Sequence, residues 1–414
     1  MLFNKPRAVE YMRRCGLDAL VATSWVNVTY VSDYYNWIDP LFKEYMMAPG
    51  ASSHLGQAYA LFPLEGEPAL IVSPLAVVNA ADSWVNEVYT FGAAGMDESV
   101  PPGPLAPKHQ RLYDALHRPT LGPTPTAALL ALLKARGLDK AWIGLDVEGL
   151  SEPARAALEG ALPHAQVKNC SQLLRLIRAV KSPEELRRLA RSAEINELAA
   201  LESLALGRPG VAMGDLARHY RSRIAALGAE HDHYSYCIRG LGIAGEPEYT
   251  LVEDEVMFVD FGCLVGRYFS DTGMTFALRP LPAPLAERHA ALRACMAAGM
   301  QAVQPGVRGS SVYAAMAQAL TERGLTAINP HGHGLGLEVR DYPIIVAPSE
   351  RRLRDDCINE PADLPLELDM VFNLESAIFM PGVGATHIER TFVVAPEGAR
   401  PLTPQDRSGP VIPS

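Results

Sequence analysis

The first part of the chain alternates helical and strand-like apolar runs: RAVEYMRRCGLDALVATSW, QAYALFPLEGEPALIVSP and AALLALLKARGLDKAWIGLDVEGL. Helices alternating with short β-rich runs predict an α/β layered unit. Proline- and glycine-rich passages at 99–107 and 119–125 read as surface loops within it. A long amphipathic helix begins in RLIRAVKSPEELRRLARSAEIN, with Ser182 as N-cap, Pro183 at the first helical position, and Glu184 and Glu185 against the N-terminal dipole. These signals predict an N-terminal domain over 1–172, a linker over 173–182 and a second domain over 183–414. Within the second, RPGVAMGDLARHYRSRIAALG and QPGVRGSSVYAAMAQALTERG each read as a Pro-Gly turn, a helix ending at glycine, and then strand-like segments. That repetition predicts a duplicated α+β unit with pseudo-twofold symmetry.

Four of the strand-like runs carry acids: VMFVDFG reaches Asp260, YFSDTGMTF carries Asp271, MVFNLESAIF carries Glu375 and ATHIERTFVV carries Glu389. Residues whose numbers sum to a constant face each other across an antiparallel hairpin. A turn centred between Val265 and Gly266 therefore places Asp260 opposite Asp271, and one centred on Gly382 places Glu375 opposite Glu389. Between the hairpins, His333 lies in a glycine-rich turn, HGHGLGLEV. Singly, each acid could be a solvated strand residue. Together they are out of place, because Asp and Glu are depleted in strands and facing like charges destabilise a sheet unless something positive lies between. A pair of divalent cations answers that need, and four carboxylates with one imidazole suit manganese, iron, cobalt or zinc.

The remaining bulk properties narrow the class. A length of 414 residues suggests two domains, and 48% hydrophobic with 20% charged residues is ordinary for a globular protein. The formal charge of -10 argues against nucleic acid or an anionic membrane as the main partner, leaving small-molecule or peptide chemistry. Six cysteines without a C-x-x-C pair indicate neither a disulfide framework nor a zinc-thiolate site, so a reduced, cytoplasmic setting is expected. The N-terminus MLFNKPRAVEYMRR lacks the apolar core of a signal peptide, and no run approaches the roughly 18 apolar residues of a membrane span.

Read together, VDFG, SDTG, HGHGLGLEV, NLES and HIER resemble the motifs of the pita-bread metallohydrolases, the superfamily of methionine aminopeptidases, Xaa-Pro aminopeptidases, prolidases and creatinase. The likeness extends to the N-terminal part, in GLDALVATSWVNVTYVSDY and LIRAVKSPEEL, and so covers nearly the whole chain. It implies a creatinase-like α/β N-terminal domain followed by an α+β pita-bread catalytic domain, and a homodimer. It also implies two divalent metal ions, manganese foremost, with Asp271 and Glu389 as bridges, Asp260 completing one site, and His333 with Glu375 the other. Two cations so held would make hydroxide available near neutral pH and polarise the substrate oxygen. Glu375 would then be the proton acceptor that later protonates the leaving group.

The surroundings of the five ligands depart from the peptidase pattern. Seven residues after the metal histidine the peptidases usually carry another histidine, where this chain has Arg340. Two residues before the last glutamate they usually carry arginine, where it has His387. The usual Glu-Pro is Glu375-Ser376, and IRGLGIAGEPEYTLVEDE lacks the histidine expected upstream of Asp260. Arg340 would clamp a carboxylate or oxyanion and His387 would move a proton beside the metals, unless Arg340 only pairs with Glu338 or Asp341 at the surface and His387 only supports a ligand through a hydrogen bond. His331 and Asp341 are further candidates for contact with substrate, and His231 or His233 could replace the missing upstream histidine. In YVSDYYNWIDPLFKEYMM, Tyr34, Trp37 and Asp39 are candidate specificity residues, with core packing as the alternative for the aromatics.

The resemblance predicts a dinuclear hydrolase that cleaves a C–N bond in a small amide, amidine or dipeptide-like substrate, and not an ordinary proline peptidase. One alternative is a lyase resembling the superfamily's dimethylsulfoniopropionate lyase, with Glu338 or Asp341 as base. Another is a catalytically silent peptide-binding module.

Overall fold

The computed structural model describes residues 1–37, 56–93, 95, 99–100, 103–245 and 248–413. It divides into two compact units, Met1–Arg178 with Leu353–Glu360, and Ala179–Arg352 with Pro361–Ser414. No helix among the described residues is long and apolar enough to cross a membrane.

The first unit is the expected α/β layer. Its sheet runs Glu87–Thr90, Ala69–Val72, Tyr59–Pro63, Ala19–Ala22, Trp142–Leu145, Gln166–Asn169 in spatial order. Ala19–Ala22 pairs antiparallel with Tyr59–Pro63 and parallel with Trp142–Leu145, so the sheet is mixed. The predicted linker over 173–182 is largely helix Ser171–Ala179, whose Leu173, Leu174, Leu176 and Ile177 are buried. Leucines at that spacing need a core, and this helix belongs to the first unit up to Arg178. A second departure is the return of 353–360 to the first unit. There, Asp356 Oδ2 accepts from the backbone N–H of Asn169 at 2.8 Å and Asp355 Oδ2 from that of Leu173 at 2.9 Å, satisfying donors at a strand end and a helix start.

The second unit repeats one order of elements. Helices Pro183–Leu204 and Met213–Ala226 precede strands Glu230–Cys237, Val256–Val265 and Tyr268–Ala277; helices Ala283–Ala302 and Gly309–Thr321 precede strands Gly332–Gly334, Asp341–Ile345, Val371–Met380 and Gly384–Ala395. The first set forms a four-stranded sheet completed by Ile243–Ala244, and the second a five-stranded sheet completed by Gly398–Pro401. Each sheet packs one face on its own helices. Leu204, Leu216 and Tyr220 meet Val259, Phe261, Met274 and Phe276, while Leu292, Met296 and Met316 meet Phe372, Leu374, Ile388 and Phe392. The other faces meet each other: Thr275 Oγ1 donates to the carbonyl of His387 and accepts from its N–H, both at 2.9 Å.

The helix that opens this unit starts as its sequence predicts. Ser182 Oγ accepts from the Glu185 N–H, the Glu185 carboxylate accepts from the Ser182 N–H at 2.7 Å, and Pro183 occupies the first turn. Burial gives Glu185 a second role, because it joins a closed polar cluster with Tyr268, whose hydroxyl donates to it at 3.1 Å, and with Lys181. Lys181 Nζ lies 3.8 Å from Asp341, and both side chains are essentially inaccessible. Burial pushes the Glu185 carboxyl up from 4.5 to about 7 against the pull of Lys181, the Ser182 N–H and Tyr268. An acid with a raised folded pKa binds protons more tightly folded than unfolded, so its contribution to stability falls as pH rises from 4.5 through about 7.

Removing the ammonium with Lys181→Met leaves two carboxyls in a dry site. The expected cost is about 3–5 kcal/mol in urea unfolding at pH 8, and it should be smaller at pH 5.5, where Glu185 is protonated. Equal losses at the two pH values would show that Glu185 is not linked to Lys181.

Candidate metal centre

Strand periodicity aims the acids. Val259 and Phe261 face the helices, so Asp260 faces the other sheet; Met274 and Phe276 likewise leave Asp271 and Gly273 opposite. In the second sheet Phe372 and Leu374 face the helices and turn Asn373 and Glu375 inward, while Ile388 and Phe392 do the same for His387 and Glu389.

The second hairpin has the predicted register, with Glu375 directly opposite Glu389. The first does not. Val265 pairs with Tyr268, so Asp260 faces Gly273 and Asp271 faces Gly262. The cause is the turn. Gly266 and Arg267 take φ of 53° and 75°, the two positive values of a tight hairpin loop, whereas a turn on Val265 would force a β-branched residue into that region. The register slips by an even number, so both aspartates stay on the same face as diagonal neighbours.

Each aspartate thus has a glycine across from it, and each glycine makes room for an imidazole. A Cβ on Gly273 would stand 1.8 Å from Cε1 of His387, and one on Gly262 would stand 2.4 Å from Nδ1 of His233. His387 is buried, stacked on Phe258 at 4.0 Å between centroids, with Nε2 3.9 Å from Glu375 and 3.8 Å from Glu389. His233 Nε2 lies 3.2 Å from Asp260 Oδ1 and 3.4 Å from Asp271 Oδ1. His231, the other half of the H-x-H pair, is exposed.

His333 lies on strand Gly332–Gly334 and not in a turn. Its N–H donates to Asn373 Oδ1 at 2.7 Å, and its Nδ1 is 3.2 Å from the carbonyl of Gly334, which leaves Nε2 turned to Asp271 at 3.5 Å and Glu375 at 3.7 Å. The Asn373 amide also donates to Glu389. His331 bonds backbone to backbone with Glu375 in both directions and brings Nε2 to 2.8 Å from Glu375 Oε1.

Donor atoms of Asp271, His333 and Glu389 fall within 4.8 Å of one another, as do those of Glu375, His387 and Glu389, and those of His233, Asp260 and Asp271. Asp271 and Glu389 each belong to two of these sets. Burial, together with the charges of Asp260 and Glu375, pushes Asp271 up to about 6, and burial with Asp271, Glu375 and Asp260 pushes Glu389 far upward. Burial works against Glu375 too, but His331 and then His387 outweigh it and hold that carboxyl well below its ordinary range. Asp271 Oδ1 is buried without a hydrogen-bond partner among the described residues. An oxygen-rich donor set with imidazole nitrogens and an orphaned carboxylate oxygen fits divalent transition-metal ions.

The other candidates scatter. Arg340 is exposed and has no ion-pair partner among the described residues; its charge lowers the proton affinity of His331 and His333. Asp341, expected at the substrate, is buried against Lys181. Tyr34 is 1% exposed inside the first unit, with its hydroxyl 3.5 Å from the carbonyl of Ala76, so it packs in a core and presents no surface to a substrate. Trp37 is exposed, and Asp39 lies outside the described residues. Of the pair offered as a replacement for the missing upstream histidine, the structure brings His233 to the centre, while Asn373 was not singled out by sequence. Asn373 shares the inward parity of Glu375, a signal that was present in VFNLES, whereas His233 depends on the spatial pairing of strands.

The glycine clearances set a sign. An alanine normally stabilises a strand relative to glycine by about 0.5–1 kcal/mol. Gly273→Ala and Gly262→Ala should instead lower stability by about 1–3 kcal/mol through overpacking, read by thermal or urea unfolding. A more stable variant would mean that the facing imidazole moves aside freely.

Residues 187–396 match the metallopeptidase family M24. The probable dipeptidase PepE of Mycobacterium tuberculosis is 29% identical over 238 residues, 55% of this chain and 60% of that protein, so the match spans less than two thirds of the relative's length. The Xaa-Pro dipeptidase of Lactobacillus helveticus is 25% identical over 65% of this chain and 72% of its own. Among solved structures, the X-Pro aminopeptidase from Thermotoga maritima superposes with a TM-score of 0.73 at 19% identity, covering 97% of this chain and 99% of that one, and shares its two-part pita-bread fold. With half of its length matched to that family and the whole of its fold shared with such enzymes, this chain belongs to metallopeptidase family M24.

Proposed function

We propose that the protein is a dinuclear-metal-dependent hydrolase that cleaves a C–N bond in a small amide, amidine or dipeptide-like substrate, and that it is not an ordinary proline peptidase. The observation that carries this reading is the convergence of Asp260 and Asp271 from one sheet with His333, Glu375 and Glu389 from the sheet that faces it, with Asp271 and Glu389 shared between donor sets. Divalent ions held there would supply Lewis acidity, lowering the pKa of water and polarising the scissile carbonyl.

The chain's own groups divide the remaining work. Glu375, kept ionised by His331 and His387, accepts a proton from the attacking water and returns it to the leaving nitrogen. Oxygen adds to the carbonyl carbon, the C–N bond breaks, and acid and amine products leave. His387, clamped by Phe258 and by Thr275 across the two sheets, keeps an imidazole beside the Glu375 and Glu389 carboxylates. Arg340, exposed and unpaired among the described residues, is free to engage a substrate carboxylate. The occupation of Asp341 by Lys181 weighs against its service as a lyase base. Six free cysteines agree with a reduced, cytoplasmic setting, and a homodimer is the assembly this reading takes.

Metal-loaded protein incubated with Xaa-Pro and non-proline dipeptides in 18O-labelled water should release amine and carry label into the new carboxylate. A chelator should abolish turnover, and Glu375→Gln should lower kcat by about 10²–10⁴-fold. Unlabelled products would refute hydrolysis, and turnover that survives the chelator would refute its dependence on metal. Arg340→His should raise KM for substrates with a free carboxylate more than for their amides; an equal change for both would remove Arg340 from recognition.

A further inference from the structure

We propose that His233 is an additional metal ligand, giving the Asp260/Asp271 end of the centre an imidazole nitrogen of its own, so that each of the two ions has one histidine. The inference rests on the two-metal reading above and extends it to a residue outside the five matched to the superfamily.

Three observations carry it. The first is position: His233 Nε2 stands 3.2 Å from Asp260 Oδ1 and 3.4 Å from Asp271 Oδ1, and the three donor atoms form a set within 4.8 Å. Asp271 Oδ1, the atom 3.4 Å from that nitrogen, is buried and without a hydrogen-bond partner among the described residues. The second is orientation. His233 Nδ1 is 2.8 Å from Asp232 Oδ2, and a ring that donates from Nδ1 to a carboxylate presents its Nε2 lone pair outward; this carboxylate–histidine arrangement is what metal-binding imidazoles use. The third is that the backbone is shaped for it. The pairing of Glu230–Cys237 with Val256–Val265 slips between His231 and His233, so that His233 faces Gly262 directly. Such a bulge re-aims one side chain at the cost of a ladder position. The glycine it faces is also the partner of Asp271 in the hairpin, and any Cβ there would collide with the ring.

Imidazole favours cobalt and zinc over manganese more than an added carboxylate or water would. An imidazole at each end therefore shifts the centre's preference away from manganese. A histidine that merely bonded to Asp260 from outside would affect all divalent ions alike.

The test compares wild type with His233→Gln and His233→Ala, each checked for native circular dichroism, and with His333→Ala as the reference for losing one ligand. X-ray absorption of the zinc-loaded proteins should show the imidazole count falling by about one per two ions in either His233 variant, as in His333→Ala. Competition with a chromophoric chelator should show at least about a tenfold loss of zinc and cobalt affinity, with a smaller loss for manganese. Two bound ions with an unchanged imidazole count, or equal losses for all three metals, would overturn the assignment while leaving the two-metal reading intact. Wild-type protein that binds no transition metal would overturn both.

Discussion

Four carboxylates turned toward one another from two facing sheets are the constraint around which the second unit is built. Helix packing on the outer faces fixes which residues point inward, and alternation along each strand leaves the acids no other direction. Burial, and then mutual repulsion, raise Asp271 and Glu389, and the chain meets this with nitrogen: His233 beside the aspartates, His387 beside the glutamates, His333 and Asn373 between. Cross-strand glycines supply the volume that those rings occupy. Charge, ring and glycine are thus one design, in which no member can be exchanged without disturbing another.

The two ends of this arrangement are held by different means. Glu375 and Glu389 are true cross-strand partners, so their separation is set by the ladder itself. Asp260 and Asp271 are diagonal, each facing a glycine, and their spacing depends on the hairpin turn at Gly266 and Arg267. Thr275 ties the two ends together through the backbone of His387, and Thr391 donates to the carbonyl of Asp271 at 3.2 Å. A centre assembled from two sheets is rigid only if such bonds cross between them.

Much of this was legible in the sequence because strand parity is robust. A register error of two residues in the first hairpin altered the partners of Asp260 and Asp271 but not their face. The N-cap at Ser182 and the duplicated helix-then-strand order were likewise local signals. What escaped was set by distant chain. Tyr34 reads as a pocket aromatic until its core is known, and Asp341 as a substrate contact until Lys181 is found beside it. The H-x-H pair was visible, but which of its two histidines reaches the centre is decided by a slip in the pairing of that strand between His231 and His233. The predicted linker failed because leucines over 173–177 serve a core that the local pattern does not reveal.

The return of residues 353–360 to the first unit has a consequence in time. Chains are made from the N-terminus, and domains commonly fold as they emerge. Here the backbone donors of Asn169 and Leu173 obtain their carboxylate partners only from Asp356 and Asp355. The earlier-made unit therefore stays incomplete at that corner through the synthesis of nearly two hundred further residues, including both strands of the first acidic hairpin. Order of synthesis and order of completion are reversed, and the chain's opening domain is sealed by one of its late segments.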